Sequence, residues 1–241
     1  MNRIKVSDSI SRYESILTNE ESDFLCNFLL QETNHPADDL NQVPWELGKS
    51  NTLYYPTIAD EKVRAILNKY KHTVAQLLSE DHEKEIFPHL TTLVMWQEGQ
   101  KMPRHVDDGA GYPEREQQLG MRYMASVTYL NDNYEGGYTF VRNDGKDDRS
   151  WRGDSILSFP NDTFEDYISI PKKGETISFL ANDENAHGVT EVTKGQRFIL
   201  STWFTKDQQF QERDDFYISP EEVEKSLNST NQQNPEQKWN S

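Results

Sequence analysis

The spacing of the apolar residues changes along this chain, and that change constrains the fold more than any other feature. Up to about residue 85, apolar residues recur at intervals of three and four, which is the helical period. From Phe87 onward they alternate with polar residues, in short runs separated by Gly, Asn and Asp. Helices followed by consecutive short strands favour an antiparallel sandwich or barrel with helices on one face. The predicted fold class is therefore mainly β with N-terminal helices.

Two helices and about eight strands can be placed individually. Thr18 and Glu21 form a capping box at the start of the first helix, and Asp60 precedes a longer amphipathic helix. The strands are predicted at 90–96, 101–107, 121–130, 138–142, 167–170, 176–180, 189–192 and 196–205. Both faces of the last strand are largely apolar, which predicts that one face lines the barrel interior and the other lies under a helix.

The charge balance excludes several classes of partner. The chain has 25 Lys and Arg residues against 41 Asp and Glu residues, a formal net charge of −16, which repels phosphate backbones and anionic lipid. We therefore expect neither nucleic acid nor a membrane surface as a partner. No run approaches the ~20 apolar residues of a membrane helix, and no apolar signal core follows the first residues, so we expect a cytoplasmic protein, monomeric by default. The single cysteine, Cys26, lies among apolar neighbours and is interpreted as an inert buried thiol.

Two segments interrupt or follow the β-rich region. Residues 143–166 are long, acidic and punctuated by glycine and proline, a pattern that fits either a solvated surface loop or a lid over a site. After residue 205 the composition shifts to Gln, Asn, Asp, Glu and Ser, so residues 206–241 are predicted to be a polar C-terminal tail. Residues 1–205 are predicted to form a single domain, with helical support over about 14–85 and a β core over about 88–205.

A histidine and an aspartate two residues apart form the first candidate metal-binding pair. His105 and Asp107 lie on a predicted strand, where alternate side chains project from the same face. A second histidine, His187, follows the apolar strand at 176–180. Two imidazoles and one carboxylate on one face of a metal ion form the facial triad of non-haem Fe(II) oxygenases. The remaining metal positions stay open, so that a bidentate co-substrate and O₂ can both bind.

An arginine ten residues after His187 adds a second chemical feature. By alternation, the inward face of the last strand consists of Arg197, Ile199, Ser201 and Trp203. A guanidinium in an apolar barrel is costly unless it meets an anion, and a carboxylate held by two N–H groups satisfies it. A dicarboxylic oxo acid that chelates the metal at one end and reaches Arg197 at the other meets both demands. Ser201 or Thr139 is expected to add a hydroxyl to the same carboxylate.

Several short motifs surround these residues in a fixed order. They are the segments 16–21, 96–100, 122–131, 135–140 with Glu135-Gly136-Gly137, 171–174, 195–197 and 203–204. In this ordered set, which covers roughly residues 14–205, the chain resembles the prolyl 4-hydroxylase-like 2-oxoglutarate- and Fe(II)-dependent dioxygenases. The resemblance implies a double-stranded β-helix, or jelly roll, buttressed by α-helices.

The resemblance also implies a set of ligands and co-substrates. Fe(II) would be bound by His105, Asp107 and His187, and Arg197 would hold the distal carboxylate of 2-oxoglutarate. O₂ would be the second co-substrate, and ascorbate would serve as reductant. The implied reaction is hydroxylation of a C–H bond, with succinate and CO₂ as co-products.

Four further positions correspond to sites of that family. Arg122 and Trp203 match positions that lie near the metal and the peptide substrate. Trp96 stands where the family usually offers a tyrosine hydroxyl to 2-oxoglutarate, which implies an altered co-substrate pocket. Met102 replaces a substrate-facing tyrosine, a departure that bears on specificity for proline.

Two other functions fit parts of the same pattern. A jelly-roll binding module that keeps the metal site without turnover is compatible with Trp96. A nucleobase demethylase on the same fold would have a basic groove and a second arginine six residues after Arg197, where Trp203 stands. The leading interpretation is a dioxygenase acting on a peptidyl, prolyl-like substrate, and a whole protein or a small molecule fits the same site.

Overall fold

The computed structural model describes residues 2–32, 51–108, 119–146, 165–219 and 222. Within these ranges the chain forms two α-helices and thirteen β-strands. The helices are α1 (Asn19–Glu32) and α2 (Glu61–His82). The strands are β1 (Arg3–Lys5), β2 (Ile10–Tyr13), β3 (Thr52–Tyr54), β4 (Phe87–Trp96), β5 (Met102–His105), β6 (Met124–Tyr129), β7 (Glu135–Gly136), β8 (Thr139–Arg142), β9 (Asp166–Ser169), β10 (Thr176–Leu180), β11 (His187–Val189), β12 (Val192–Lys194) and β13 (Arg197–Thr205).

The strands form two principal antiparallel sheets. The larger sheet has the order β1-β2-β10-β6-β13-β4-β3, and the smaller has the order β5-β11-β8-β9. A core of apolar side chains from both sheets fills the space between them. It includes Val94, Trp96, Ala125, Tyr129, Phe179 and Ile199 from the larger sheet and Met102, Val141 and Val189 from the smaller. The predicted antiparallel sandwich is confirmed.

Both helices pack on the outer face of the larger sheet. In α1 the predicted capping box forms, since Thr18 Oγ1 accepts from the Glu21 N–H at 3.1 Å and the Glu21 carboxylate accepts from the Thr18 N–H at 2.9 Å. Asp60 caps α2 by accepting from the Val63 N–H at 2.9 Å. The two faces of β13 divide as predicted, because Phe198 packs in the core shared with the helices and Ile199 in the core between the sheets.

The short strands β1, β2 and β3 carry no clear pattern in the sequence. β1 and β2 contain charged residues and extend the larger sheet, because β1 pairs with β2 and β2 pairs with β10. At the opposite edge, β3 pairs with β4. The single strand predicted at 189–192 is in fact two, because β11 belongs to the smaller sheet and β12 pairs separately with β7. These differences arise because short strands are stabilised by the strands they pair with.

Part of the candidate lid segment lies outside the described residues. Of the segment 143–166, residues 147–164 are not described, so both interpretations of it remain predictions. Across the described ranges, no helix combines the length with the apolar composition that a bilayer crossing requires.

The residues after β13 pack against α2, beyond the domain boundary predicted at residue 205. The ammonium of Lys71 is fully buried and lies 3.0 Å from the Glu212 carboxylate and 2.9 Å from that of Asp214. The same ammonium lies 3.7 Å from the centre of the Tyr55 ring. The Tyr55 hydroxyl in turn donates to the Asp214 carbonyl at 2.8 Å. These contacts join the segment around 212–214 to the helical layer.

Replacing Lys71 by methionine is expected to lower the free energy of unfolding by about 3 kcal/mol, because it leaves Glu212 buried without its cation. Urea denaturation followed by circular dichroism measures this change. The double variant Lys71→Met/Glu212→Gln removes both charges and is expected to recover most of the loss. A single variant as stable as the original protein would contradict the importance of this ion pair.

Candidate metal centre

The three predicted metal ligands lie on and beside adjacent strands of the smaller sheet. His105 ends β5 and His187 begins β11, and the antiparallel register places these two residues directly opposite each other. Asp107 follows β5 by two residues, and its backbone N–H donates to the carbonyl of Ala181 at 2.9 Å. Strand pairing therefore brings together ligands that are far apart in the sequence.

The side-chain atoms of the triad converge on one point. One potential ligand atom from each residue lies within 4.8 Å of the others. Nε2 of His105 is 3.6 Å from Oδ1 of Asp107, and Nε2 of His187 is 3.3 Å from Oδ2. Nδ1 of His105 donates to the Pro103 carbonyl at 3.0 Å, and Nδ1 of His187 donates to the Asn185 carbonyl at 3.1 Å. Because Nδ1 carries the proton, each Nε2 presents a lone pair to the common point.

Burial and charge set the protonation states of two of these groups. Burial acts to raise the pKa of the Asp107 carboxyl, but the contacts with His187 and His105 hold that pKa well below its usual range. Burial lowers the pKa of His187, which favours the neutral imidazole. An ionised carboxylate beside a neutral imidazole is the combination that binds a divalent cation.

Arg197 is completely buried between the two sheets. Its Nη2 donates to Oγ1 of Thr139 at 3.0 Å, while its Nε and Nη1 have no hydrogen-bond partner in the described part of the chain. The guanidinium lies 5.4 Å from the Trp96 ring centre and 5.6 Å from that of Tyr129. Arg197 also pairs directly with Trp96 across β13 and β4. A buried cation with unused N–H groups requires an anion, so this position is suited to a carboxylate.

A cavity of about 370 Å³ connects the triad with Arg197, within the size range of small-molecule sites. All ten residues that the sequence singles out line this cavity. They are Trp96, Met102, His105, Asp107, Arg122, Thr139, His187, Arg197, Ser201 and Trp203. The inward alternation predicted for β13 is confirmed, because Ile199 lines the cavity together with the other three residues of that face.

The wall of the cavity nearest Arg122 contains unused hydrogen-bond donors. The Arg122 guanidinium lies 4.3 Å from the Trp203 ring centre, and its Nη1 donates to the Asp107 carbonyl at 3.5 Å. Among the residues described, no partner accepts from Arg122 Nε or from Trp203 Nε1, although both atoms are buried. Two buried donors without acceptors would be satisfied by a carbonyl or carboxylate oxygen of a bound molecule.

Two residues of this site were not singled out from the sequence. Tyr54 lines the cavity from β3, a three-residue edge strand with no recognisable pattern around it. Tyr129 packs against Arg197, and the alternation of β6 was the signal that would have identified it.

Cys26 and two further histidines, His72 and His89, lie outside the cavity. Burial raises the pKa of the Cys26 thiol to about 12, which agrees with an inert thiol. His72 contacts Asp214 at 2.8 Å, and His89 contacts the Phe210 carbonyl at 2.9 Å. The metal-binding chemistry is thus concentrated at the triad.

A sequence profile for the 2OG-Fe(II) oxygenase superfamily matches residues 90–205, which include the whole triad and Arg197. This segment, 116 of the 241 residues, is similar to that superfamily. The matched segment lies within the β core predicted at about 88–205.

A curated relative is similar in sequence to part of this chain. Prolyl 3-hydroxylase 2 from Rattus norvegicus is 36% identical over 92 residues. These residues make up 38% of this chain but only 11% of the relative, so the chain covers a small part of that protein.

Solved structures show the same fold at low identity. The viral collagen prolyl hydroxylase from Paramecium Bursaria Chlorella virus-1, as its 2OG complex, has a TM-score of 0.52 at 16% identity, covering 84% of this chain and 100% of that chain. A prolyl hydroxylase from Trichoplax adhaerens, in complex with a hypoxia inducible factor oxygen degradation domain peptide fragment, has a TM-score of 0.56 at 14% identity. The match covers 85% of this chain and 86% of that chain. The predicted double-stranded β-helix buttressed by α-helices is confirmed.

Proposed function

We propose that this chain is a 2-oxoglutarate- and Fe(II)-dependent dioxygenase that hydroxylates a C–H bond of a peptidyl, prolyl-like substrate and releases succinate and CO₂. One observation carries the proposal. A single cavity holds three convergent ligand atoms, from His105, Asp107 and His187, and a buried Arg197 with unused N–H groups.

The triad fits Fe(II) in donor type and protonation. Imidazole nitrogen and carboxylate oxygen in a 2-to-1 ratio are the donors of this class of iron site, and the Nδ1 hydrogen bonds orient both imidazoles. When bound with 2-oxoglutarate and O₂, iron supplies the oxidising chemistry that transfers oxygen to a C–H bond. The chain contributes the ligands and a largely apolar cavity around them.

The other end of the cavity fits the distal carboxylate of 2-oxoglutarate. Arg197 donates to this carboxylate, Thr139 holds one N–H of the guanidinium, and Ser201 contributes a hydroxyl to the same region. The Trp96 ring lies beside the guanidinium and replaces the usual tyrosine with an aromatic face. Ascorbate is the proposed reductant that keeps the iron in its ferrous state.

The wall formed by Arg122 and Trp203 supports a peptidyl substrate. Its unused donors match a backbone carbonyl of a peptide. Among the described residues that line the cavity, Asp107 is the only carboxylate, so the cavity does not favour a cationic group on the substrate. The relative is named a prolyl 3-hydroxylase, and one structural neighbour contains a peptide fragment, which favours a peptidyl substrate over a free metabolite.

Protein loaded with Fe(II) is expected to convert 2-oxoglutarate to succinate in the presence of ascorbate and air. Protein loaded with Mn(II), which occupies the same ligands, is the matched control and is expected to give none. Mass spectrometry of proline-containing peptides added to the Fe(II) reaction is expected to show the mass increase of one oxygen atom. Succinate formation no greater than in the Mn(II) control, with and without peptides, would contradict the proposed activity and favour a binding module.

A further inference from the structure

The guanidinium of Arg197 has N–H groups left over after it binds Thr139 and one carboxylate. A guanidinium presents five N–H donors. Thr139 accepts one of them through Nη2, and a carboxylate held by two parallel hydrogen bonds accepts two more. Nε lies next to the aliphatic stem, is buried, and has no partner among the residues that the structure describes. An unsatisfied N–H of a buried cation is costly, so a protein acceptor near the stem would stabilise the side chain.

Tyr134 lies just before β7, and its ring and the stem of Arg197 both lie beside Gly137. A Cβ atom built on Gly137 would lie 3.2 Å from Tyr134 Cε2 and 3.0 Å from Arg197 Cδ. Both side chains therefore lie close to the Cα atom of Gly137. A Cβ atom on Gly195 would lie 3.4 Å from Tyr134 Cβ. The φ angles of these glycines, 61° and 83°, are in the left-handed region, where glycine is favoured. The glycines therefore allow the Tyr134 ring to pack between the loop and Arg197.

The hydroxyl of Tyr134 is itself buried and has no hydrogen-bond partner within the described ranges. Burial raises the pKa of Tyr134, while the charge of Arg197 acts in the opposite direction. The hydroxyl therefore stays protonated and lies within the field of the guanidinium. A buried oxygen and a buried N–H, both unpartnered and close together, are complementary.

We propose that Tyr134 is a positioning residue for Arg197. Its hydroxyl oxygen accepts the Nε–H of the guanidinium and fixes the orientation in which Arg197 receives the distal carboxylate of a 2-oxo dicarboxylic acid. The inference rests on the proposed function. Tyr134 acts through Arg197, because Arg197 lines the cavity and Tyr134 does not. Tyr129 has a different role, since its hydroxyl donates to the Ser169 carbonyl at 3.3 Å.

Calorimetric titration of the Mn(II)-loaded Tyr134→Phe variant tests this role without requiring turnover. Two ligands are compared: 2-oxoglutarate, and 2-oxobutanoate, which lacks the distal carboxylate. We expect the Kd for 2-oxoglutarate to rise about five- to tenfold, because an unrestrained guanidinium must be ordered on binding. The Kd for 2-oxobutanoate should change by less than about twofold, since this ligand does not reach Arg197. Tyr138→Phe, a partly exposed tyrosine on the same loop, is the matched control and should change neither value.

Equal weakening of both ligands by Tyr134→Phe would show a general disturbance of the site and would overturn the inference. An unchanged Kd for 2-oxoglutarate would overturn it as well. In the Arg197→Ala background, Tyr134→Phe is expected to have no further effect, and an additional loss there would also overturn it. Failure of the proposed function would give a different result: Arg197→Ala itself would leave the Kd for 2-oxoglutarate unchanged. That result would contradict both the proposed function and the role of Tyr134.

Discussion

Asp107→Ala is expected to weaken Mn(II) or Fe(II) binding by more than about a hundredfold and to abolish turnover of 2-oxoglutarate. Asp107 is the anionic member of the triad and lies between two imidazoles, 3.6 Å from His105 and 3.3 Å from His187. Losing a residue that only orients a metal ligand lowers metal affinity about ten- to a hundredfold. Losing a ligand itself is therefore expected to lower the affinity further. Calorimetric titration with Mn(II) measures the binding, and succinate formation with Fe(II) measures the turnover.

The neighbouring carboxylate provides the control for this variant. Asp108 directly follows Asp107, and both backbone N–H groups donate to the Ala181 carbonyl. Asp108 lies outside the triad, so Asp108→Ala is expected to retain metal binding and turnover. His105→Ala and His187→Ala are expected to behave like Asp107→Ala, because three ligands leave no redundancy. Near-normal turnover in any of the three ligand variants would contradict the assignment of the triad.

Arg197→Ala is expected to raise the Kd for 2-oxoglutarate by about a hundredfold, because truncating one partner of a buried, hydrogen-bonded charge pair costs a few kcal/mol. Metal binding should change far less, since Arg197 is not a member of the triad. Arg197→Lys keeps the charge but loses the two-pronged geometry, so an intermediate loss is expected.

Anaerobic titration of the metal-loaded protein with 2-oxoglutarate measures this constant separately from turnover. Mn(II) titration of the same variants controls for damage to the metal centre. An unchanged Kd for 2-oxoglutarate in Arg197→Ala would contradict the role of Arg197. A loss of Mn(II) binding equal to the loss of 2-oxoglutarate binding would show that the substitution disturbs the whole cavity.

The parts of this protein that the sequence predicts correctly depend on local physical signals. The capping box of Thr18 and Glu21 and the cap at Asp60 need only a few neighbouring residues, and both form as expected. The alternation along β13 assigns Arg197 to the inner face because side chains of a strand point to opposite sides in turn. The predicted strand over 101–107 ends at His105, so Asp107 lies beyond β5, although both side chains line the cavity.

The tertiary structure decided where separate segments meet. β3 becomes a strand by pairing with β4, and this pairing places Tyr54 in the cavity wall. The Tyr134 ring and the Arg197 stem both lie beside the same glycine, Gly137, whose positive φ is a conformation that glycine favours. Lys71 is buried because Glu212 and Asp214 return to α2 from the segment that follows β13.

Sequence alone thus determined the fold class, the inward-facing residues and the set of candidate ligands, since each depends on the periodicity or the composition of a short segment. Only the folded chain decided which polar groups are buried, which are left without partners and which residues surround them. Those properties arise from contacts between residues distant in the sequence, where burial and pairing, rather than local preference, set the energy of each group.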